Sequence, residues 1–261
     1  MMTEEQKYLF DLQGYLVVSQ ILSKQQVDLY NRELDRLVDT PADQFPGNAV
    51  KQEKSDVDSI HGTDIEIRNI TECGKVFEEL IDHPASLEYL KQMISHPKQR
   101  MTHAYTIIRE KGDATPGHRG RVPIMGQCQY RFEGGMFHCN MIKVVYCLTD
   151  LGPGDGGFSV IPNSHKSNFP CPYFVKGDPE KSRHPDDVPV MVELSAKAGD
   201  AIMFTEDLTH GSKTNHTGNQ RRNLYYTYQP CYFPDWMEPA SEQLMERLTP
   251  ARRELMAPSA Y

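Results

Sequence analysis

The stretch Gly199-Asp200-Ala201-Ile202-Met203-Phe204-Thr205-Glu206-Asp207-Leu208-Thr209-His210-Gly211-Ser212 decides how this chain is read. Gly-Asp is a turn signal: glycine reaches turn conformations freely, and Asp bonds to nearby backbone. Residues 201–205 then form a short apolar run of the length and composition of a buried strand. Two carboxylates follow, and the stretch closes on a histidine beside Gly-Ser. A strand bounded by turn residues, with chemically active side chains at its end, is how a rigid β scaffold carries a site.

The same texture runs outward through the second half of the chain. Residues 104–109, 141–148, 158–161, 188–194 and 223–228 also read as short strands. Between them lie the turn signals Gly152-Pro153-Gly154-Asp155-Gly156-Gly157, Pro162-Asn163 and Thr217-Gly218-Asn219. Such spacing fits a sandwich, a jelly roll or a barrel. The first half is different. A strand at 16–18 follows Gly14. Ser23 stands three residues before Gln26, a capping-box spacing, and Val27, Tyr30, Leu34 and Leu37 then form one helical stripe. Residues 41–66 show little periodicity and read as a long loop, either a binding lid or plain surface. Short helices are expected around Val76, Phe77, Leu80 and Ile81, and around Leu87, Leu90 and Ile94 after Pro84. The whole reads as a mainly β fold with peripheral helices in one domain, 1–261. It comprises a helical N-terminal part of about 1–100, a β core of about 101–235 and a C-terminal helix of about 240–256.

Composition narrows the function classes. The 261 residues hold 36 acidic and 28 basic side chains, a formal net charge of −8. A basic face for nucleic acid is therefore not expected. The densest apolar run, 141–148, is far shorter than the roughly 20 residues a membrane span needs, and it contains Lys143. The N-terminus is acidic and polar, without the basic flank and apolar centre of a secretion signal. The 6 cysteines form no CxxC pair. These features point to a reduced, soluble, cytoplasmic protein. Nothing in them indicates an oligomeric state.

Several common sites are absent. The chain has no GxSxG, no GxxxxGK[ST] and no paired Cys/His zinc spacing. Three other features fit together: Gly117-His118-Arg119-Gly120 just before the β core, His210, and Arg221-Arg222 at +11 and +12 from that histidine. Imidazole and carboxylate ligands on one face of an octahedral iron(II) leave three positions, which a 2-oxo acid and dioxygen can fill. The far carboxylate of that acid suits a planar guanidinium. Strand alternation sends Arg221 and Arg222 to opposite faces, so one of them at most enters the barrel.

At this point the sequence resembles the phytanoyl-CoA dioxygenase family of iron(II)/2-oxoglutarate-dependent oxygenases. The resemblance covers most of the chain. It starts with Phe10-(x)3-Gly14-Tyr15-Leu16-Val17 and Leu22-Ser23. It continues in Leu148-Thr149-Asp150, Gly156-Gly157-Phe158 and Ile161-Pro162-Asn163-Ser164-His165-Lys166. It ends with Gly199-Asp200, His210-Gly211-Ser212 and Arg221. The resemblance implies a double-stranded β-helix (jelly-roll, cupin-like) core, Fe(II) as cofactor, and 2-oxoglutarate and O2 as co-substrates. It also implies oxidation, such as hydroxylation, of an organic substrate. On the same ground His210 is the distal iron ligand, Arg221 grips the 2-oxoglutarate carboxylate, and Ser212 assists at that end.

One position departs from the family. Its proximal motif is His-x-Asp, whereas His118-Arg119-Gly120 puts glycine at the Asp position. Four completions are open. Another carboxylate supplies the ligand: Glu206, four before His210 and so on the same strand face, or more weakly Glu133. The position is vacant, as in related iron halogenases that bind halide there. The site is degenerate and the protein only binds. Or His138-Cys139-Asn140 is the true proximal segment. Beyond the metal ligands, no separate catalytic residue is indicated. Asp207 is expected to face solvent, opposite Glu206.

Overall fold

The computed structural model describes residues 1–54, 64–110, 112, 114–120, 126–175, 178–235 and 238–259. The chain opens with α1 (Glu4–Gln13), which the sequence analysis did not anticipate. Its signal was present: Thr3 and Gln6 form a complete capping box, and Gly14 closes the helix with φ 83°. Strand β1 (Tyr15–Val18) follows, then α2 (Lys24–Asp39), which starts where the Ser23/Gln26 box requires and buries Val27, Tyr30, Leu34 and Leu37.

Two strands come next, β2 (Val50–Lys54) and β3 (Asp64–Arg68). The 41–66 stretch is therefore not one irregular loop: residues 50–54 and 64–66 join the main sheet, and residues 55–63 lie outside the described residues. The N-terminal part is thus not purely helical. Short α3 (Lys75–Glu78) and α4 (Pro84–Met93) lead into the long β4 (Gln99–Arg109) and then β5 (Thr115–His118). A small hairpin pairs β6 (Phe132–Glu133) with β7 (Met136–Phe137). The remaining strands are β8 (Ile142–Cys147), β9 (Phe158–Val160), β10 (Val192–Glu193), β11 (Ala201–Thr205), β12 (His210–Ser212) and β13 (Arg221–Pro230). The expected strand at 188–194 shrinks to β10. The expected C-terminal helix is two helices, α5 (Glu242–Arg247) and α6 (Pro250–Leu255), because Pro250 has no N–H to continue α5 but suits a first helical turn.

The strands form a jelly roll. One sheet has the order β1-β11-β8-β13-β4-β3-β2, and a smaller one the order β10-β9-β12-β5. Period-2 alternation gives the large sheet two different faces. Outward, Val144, Tyr146, Met203, Leu224 and Tyr226 pack with Leu34 of α2 and Phe77 of α3. Inward, Val145, Cys147, Ile202, Phe204 and Tyr225 meet Phe158 and Val160 of the small sheet. The site hangs on this inner core. Among the described residues, no helix is long and apolar enough to cross a membrane.

Candidate metal centre

The pairing of β5 with β12 sets His118 directly opposite His210. Their rings lie 4.2 Å apart, centroid to centroid. Gly211 makes this pairing close: a Cβ there would stand 2.6 Å from the Thr115 carbonyl oxygen. Glu206 joins them from the turn after β11. Its backbone N–H donates to Met141 O (3.1 Å) and its carbonyl accepts from Gly120 N–H (3.0 Å). One ligand-type atom each from His118, Glu206 and His210 fits within 4.8 Å of the others. Among the described residues no other group of this kind occurs.

Gly120, read above as the position that departs from His-x-Asp, is closely surrounded. A Cβ at 120 would lie 2.5 Å from Cys128 Sγ and 2.7 Å from Glu206 Cγ. The volume an Asp side chain would need is filled by Glu206 and Cys128. The alternatives fall away from the cluster. Glu133 is exposed on β6, with Arg131 as its ion-pair partner at 3.9 Å. His138 bonds Ser95 Oγ at 2.7 Å.

The hydrogen bonds fit metal ligation. His210 Nδ1 donates to Leu208 O (2.8 Å) and His118 Nδ1 to Pro116 O (3.3 Å). Each bond leaves Nε2 with its lone pair, the form that binds a metal. His210 Nε2 stands 4.0 Å from Glu206 Oε1. Burial, reinforced by His118, pushes His210 down to about 3. Burial also lowers His118, against the pull of Glu206, although an edge of His118 stays open to solvent. Burial alone would raise the Glu206 carboxyl, yet Lys143, His210 and His118 together hold it below its usual range. The donors are thus neutral imidazoles and an ionised carboxylate at neutral pH. Glu206 Oε2 is buried and receives no well-directed hydrogen bond. The Lys143 ammonium, 2.9 Å away, holds it by charge.

A second polar set lies on the same inner face. Arg221 shares that face with Tyr225, while Arg222 points outward to Asp35 of α2 at 2.7 Å. Arg221 is 3% exposed and donates to Gly156 O. Its partner across the strands is Arg109, 2% exposed, which the sequence analysis did not single out. Ser212 is bound to Arg109 (2.5 Å), and Arg109 also donates to Thr115 Oγ1 (2.8 Å). Asp207 does not face solvent. It is fully buried, accepts from Arg119 Nε (2.9 Å) and from Tyr130 N–H (3.0 Å), and so fixes the turn that carries Glu206.

A model of the family described as phytanoyl-CoA dioxygenase (PhyH) matches residues 10–223. The chain belongs to the phytanoyl-CoA dioxygenase family. Ectoine dioxygenase of Streptomyces coelicolor is 23% identical over 236 residues, covering 84% of this chain and 74% of its own. Dioxygenase hkm4 of Aspergillus hancockii is 24% identical over 255 residues, covering 94% and 77%. Among solved structures, HygX from Streptomyces hygroscopicus with nickel and 2-oxoglutarate bound superposes with a TM-score of 0.73 at 23% identity, over 91% of each chain. The non-heme alpha ketoglutarate dependent carbocyclase SnoK from nogalamycin biosynthesis gives 0.67 at 14% identity, over 95% and 92%. These structural likenesses bear on the fold. As a phytanoyl-CoA dioxygenase family member, the protein is a dioxygenase.

Proposed function

We propose that His118, Glu206 and His210 hold iron(II), and that the protein hydroxylates or otherwise oxidises a small organic substrate. One observation carries this reading: two imidazoles and an ionised carboxylate converge, one ligand-type atom of each within 4.8 Å of the others. When bound, iron(II) supplies dioxygen activation coupled to decarboxylation of 2-oxoglutarate. The chain's own residues do the rest. His118 and His210 offer Nε2, oriented by their carbonyl-bound Nδ1. Arg221 and Arg109 attract the far carboxylate of 2-oxoglutarate. Both are planar guanidiniums, the geometry that pairs with a carboxylate through two parallel hydrogen bonds. Ser212 holds Arg109 in that direction. Phe158, Phe204 and Tyr225 keep the inner wall apolar.

The halide reading finds no support, since Glu206 and Cys128 fill the space beside Gly120. Incubation with iron(II), 2-oxoglutarate and air is expected to release succinate, and His118→Ala or His210→Ala to abolish it. Undiminished succinate from either variant contradicts the proposal.

A further inference from the structure

Lys143 is a charged group of the inner face that neither the metal-binding set nor the arginine pair uses. It stands in the large sheet on β8, opposite Phe204 on one side and Thr227 on the other. Its side chain is only 15% exposed. Strand alternation places it with Val145 and Cys147, facing the site. A lysine this enclosed is found with a partner, and the partner is Glu206.

The two oxygens of Glu206 are divided. Oε2 lies 2.9 Å from the ammonium, and Oε1 faces the imidazole of His210 at 4.0 Å. A carboxylate can give an ion one oxygen or both. The choice matters for an octahedral ion. With one oxygen from Glu206 and one nitrogen from each histidine, three positions stay open, enough for the two donors of 2-oxoglutarate and for dioxygen. With both oxygens bound, two stay open, and 2-oxoglutarate alone fills them. Glutamate has one more methylene than the Asp of the family motif, and with it one more torsion through which to swing both oxygens inward.

We propose that Lys143 is a positioning residue that makes Glu206 a one-oxygen ligand: by holding Oε2 in an ion pair it keeps the dioxygen position open. This rests on Glu206 being a ligand, as proposed above. A structural salt bridge alone would support the fold without affecting that position.

The test uses nitric oxide as a probe of the dioxygen position, read by electron paramagnetic resonance on anaerobic protein loaded with iron(II) and 2-oxoglutarate. Manganese(II) affinity is measured in parallel by calorimetry. Lys143→Met and Lys143→Gln are expected to bind manganese(II) at least as tightly as the wild type, since a nearby cation is lost, and to bind nitric oxide at least tenfold more weakly. Lys143→Arg keeps the cation and is expected to restore nitric oxide binding. Nitric oxide affinity unchanged in the Met and Gln variants, or manganese(II) affinity that falls in them, overturns the proposal. Glu206→Gln separates the two layers. If it binds manganese(II) as tightly as the wild type, Glu206 is not a ligand. If it loses the ion while the Lys143 variants bind nitric oxide normally, only the role of Lys143 fails.

Discussion

At the scale of single residues, the centre depends on a trade between positions 120 and 206. Gly120→Asp, which would restore the family motif, puts a Cβ into Cys128 and Glu206. It is expected to destabilise the fold by about 1–3 kcal/mol, the usual cost of overpacking, and to weaken metal binding. Urea denaturation and calorimetry check this; a Gly120→Asp protein as stable as the wild type and binding metal as well contradicts it. Arg119→Met removes one ion-pair partner of the buried Asp207 carboxylate and is expected to lower the urea midpoint; an unchanged midpoint contradicts this. The sequence singled out His118, Glu206, His210 and Arg221, and the structure brings the first three into one cluster. Arg109 and Asp207 were not legible there, because their roles depend on which strand lies opposite and which turn folds back. Lys143 did leave a signal: it is the charged residue inside the densest apolar run, and strand alternation sets it on the face of Val145 and Cys147.

At the scale of elements, turn and cap chemistry read best. The Ser23/Gln26 box starts α2 where the sequence places it, and β11 spans the residues 201–205 first read as a strand. Ser23→Ala removes the cap and is expected to lower stability by about 1 kcal/mol, shifting the urea midpoint without changing its slope. An unchanged midpoint contradicts the role given to Ser23. Elements that depend on tertiary partners were hidden. β2 and β3 are polar and charged (Val50-Lys51-Gln52-Glu53-Lys54 and Asp64-Ile65-Glu66-Ile67-Arg68), and they are strands because β4 offers an edge to pair with. Local propensity cannot report a partner some 40 residues away.

At the scale of the whole molecule, buried histidines set the response to acid. Burial pushes His103 and His210 down to about 3 and His165 down to about 4. Their unfolded value is near 6.5, so below that pH the unfolded chain takes up protons that the fold does not. The stability these histidines contribute is full above about pH 6.5 and falls as the pH drops toward 4. The slope is about 1.4 kcal/mol per histidine per pH unit. Depressed carboxylates such as Glu206 and Asp155 add their own loss only at lower pH, as each is protonated in the fold. Unfolding free energy is therefore expected to fall by about 6 kcal/mol between pH 7 and pH 5, and by less in His165→Asn; a flat profile contradicts these burial effects. The most direct check on the centre itself is optical. Wild-type protein titrated anaerobically with iron(II) and 2-oxoglutarate is predicted to develop a visible charge-transfer band, and Glu206→Gln to develop none. A band of equal strength in Glu206→Gln contradicts the assignment of this carboxylate as the third ligand.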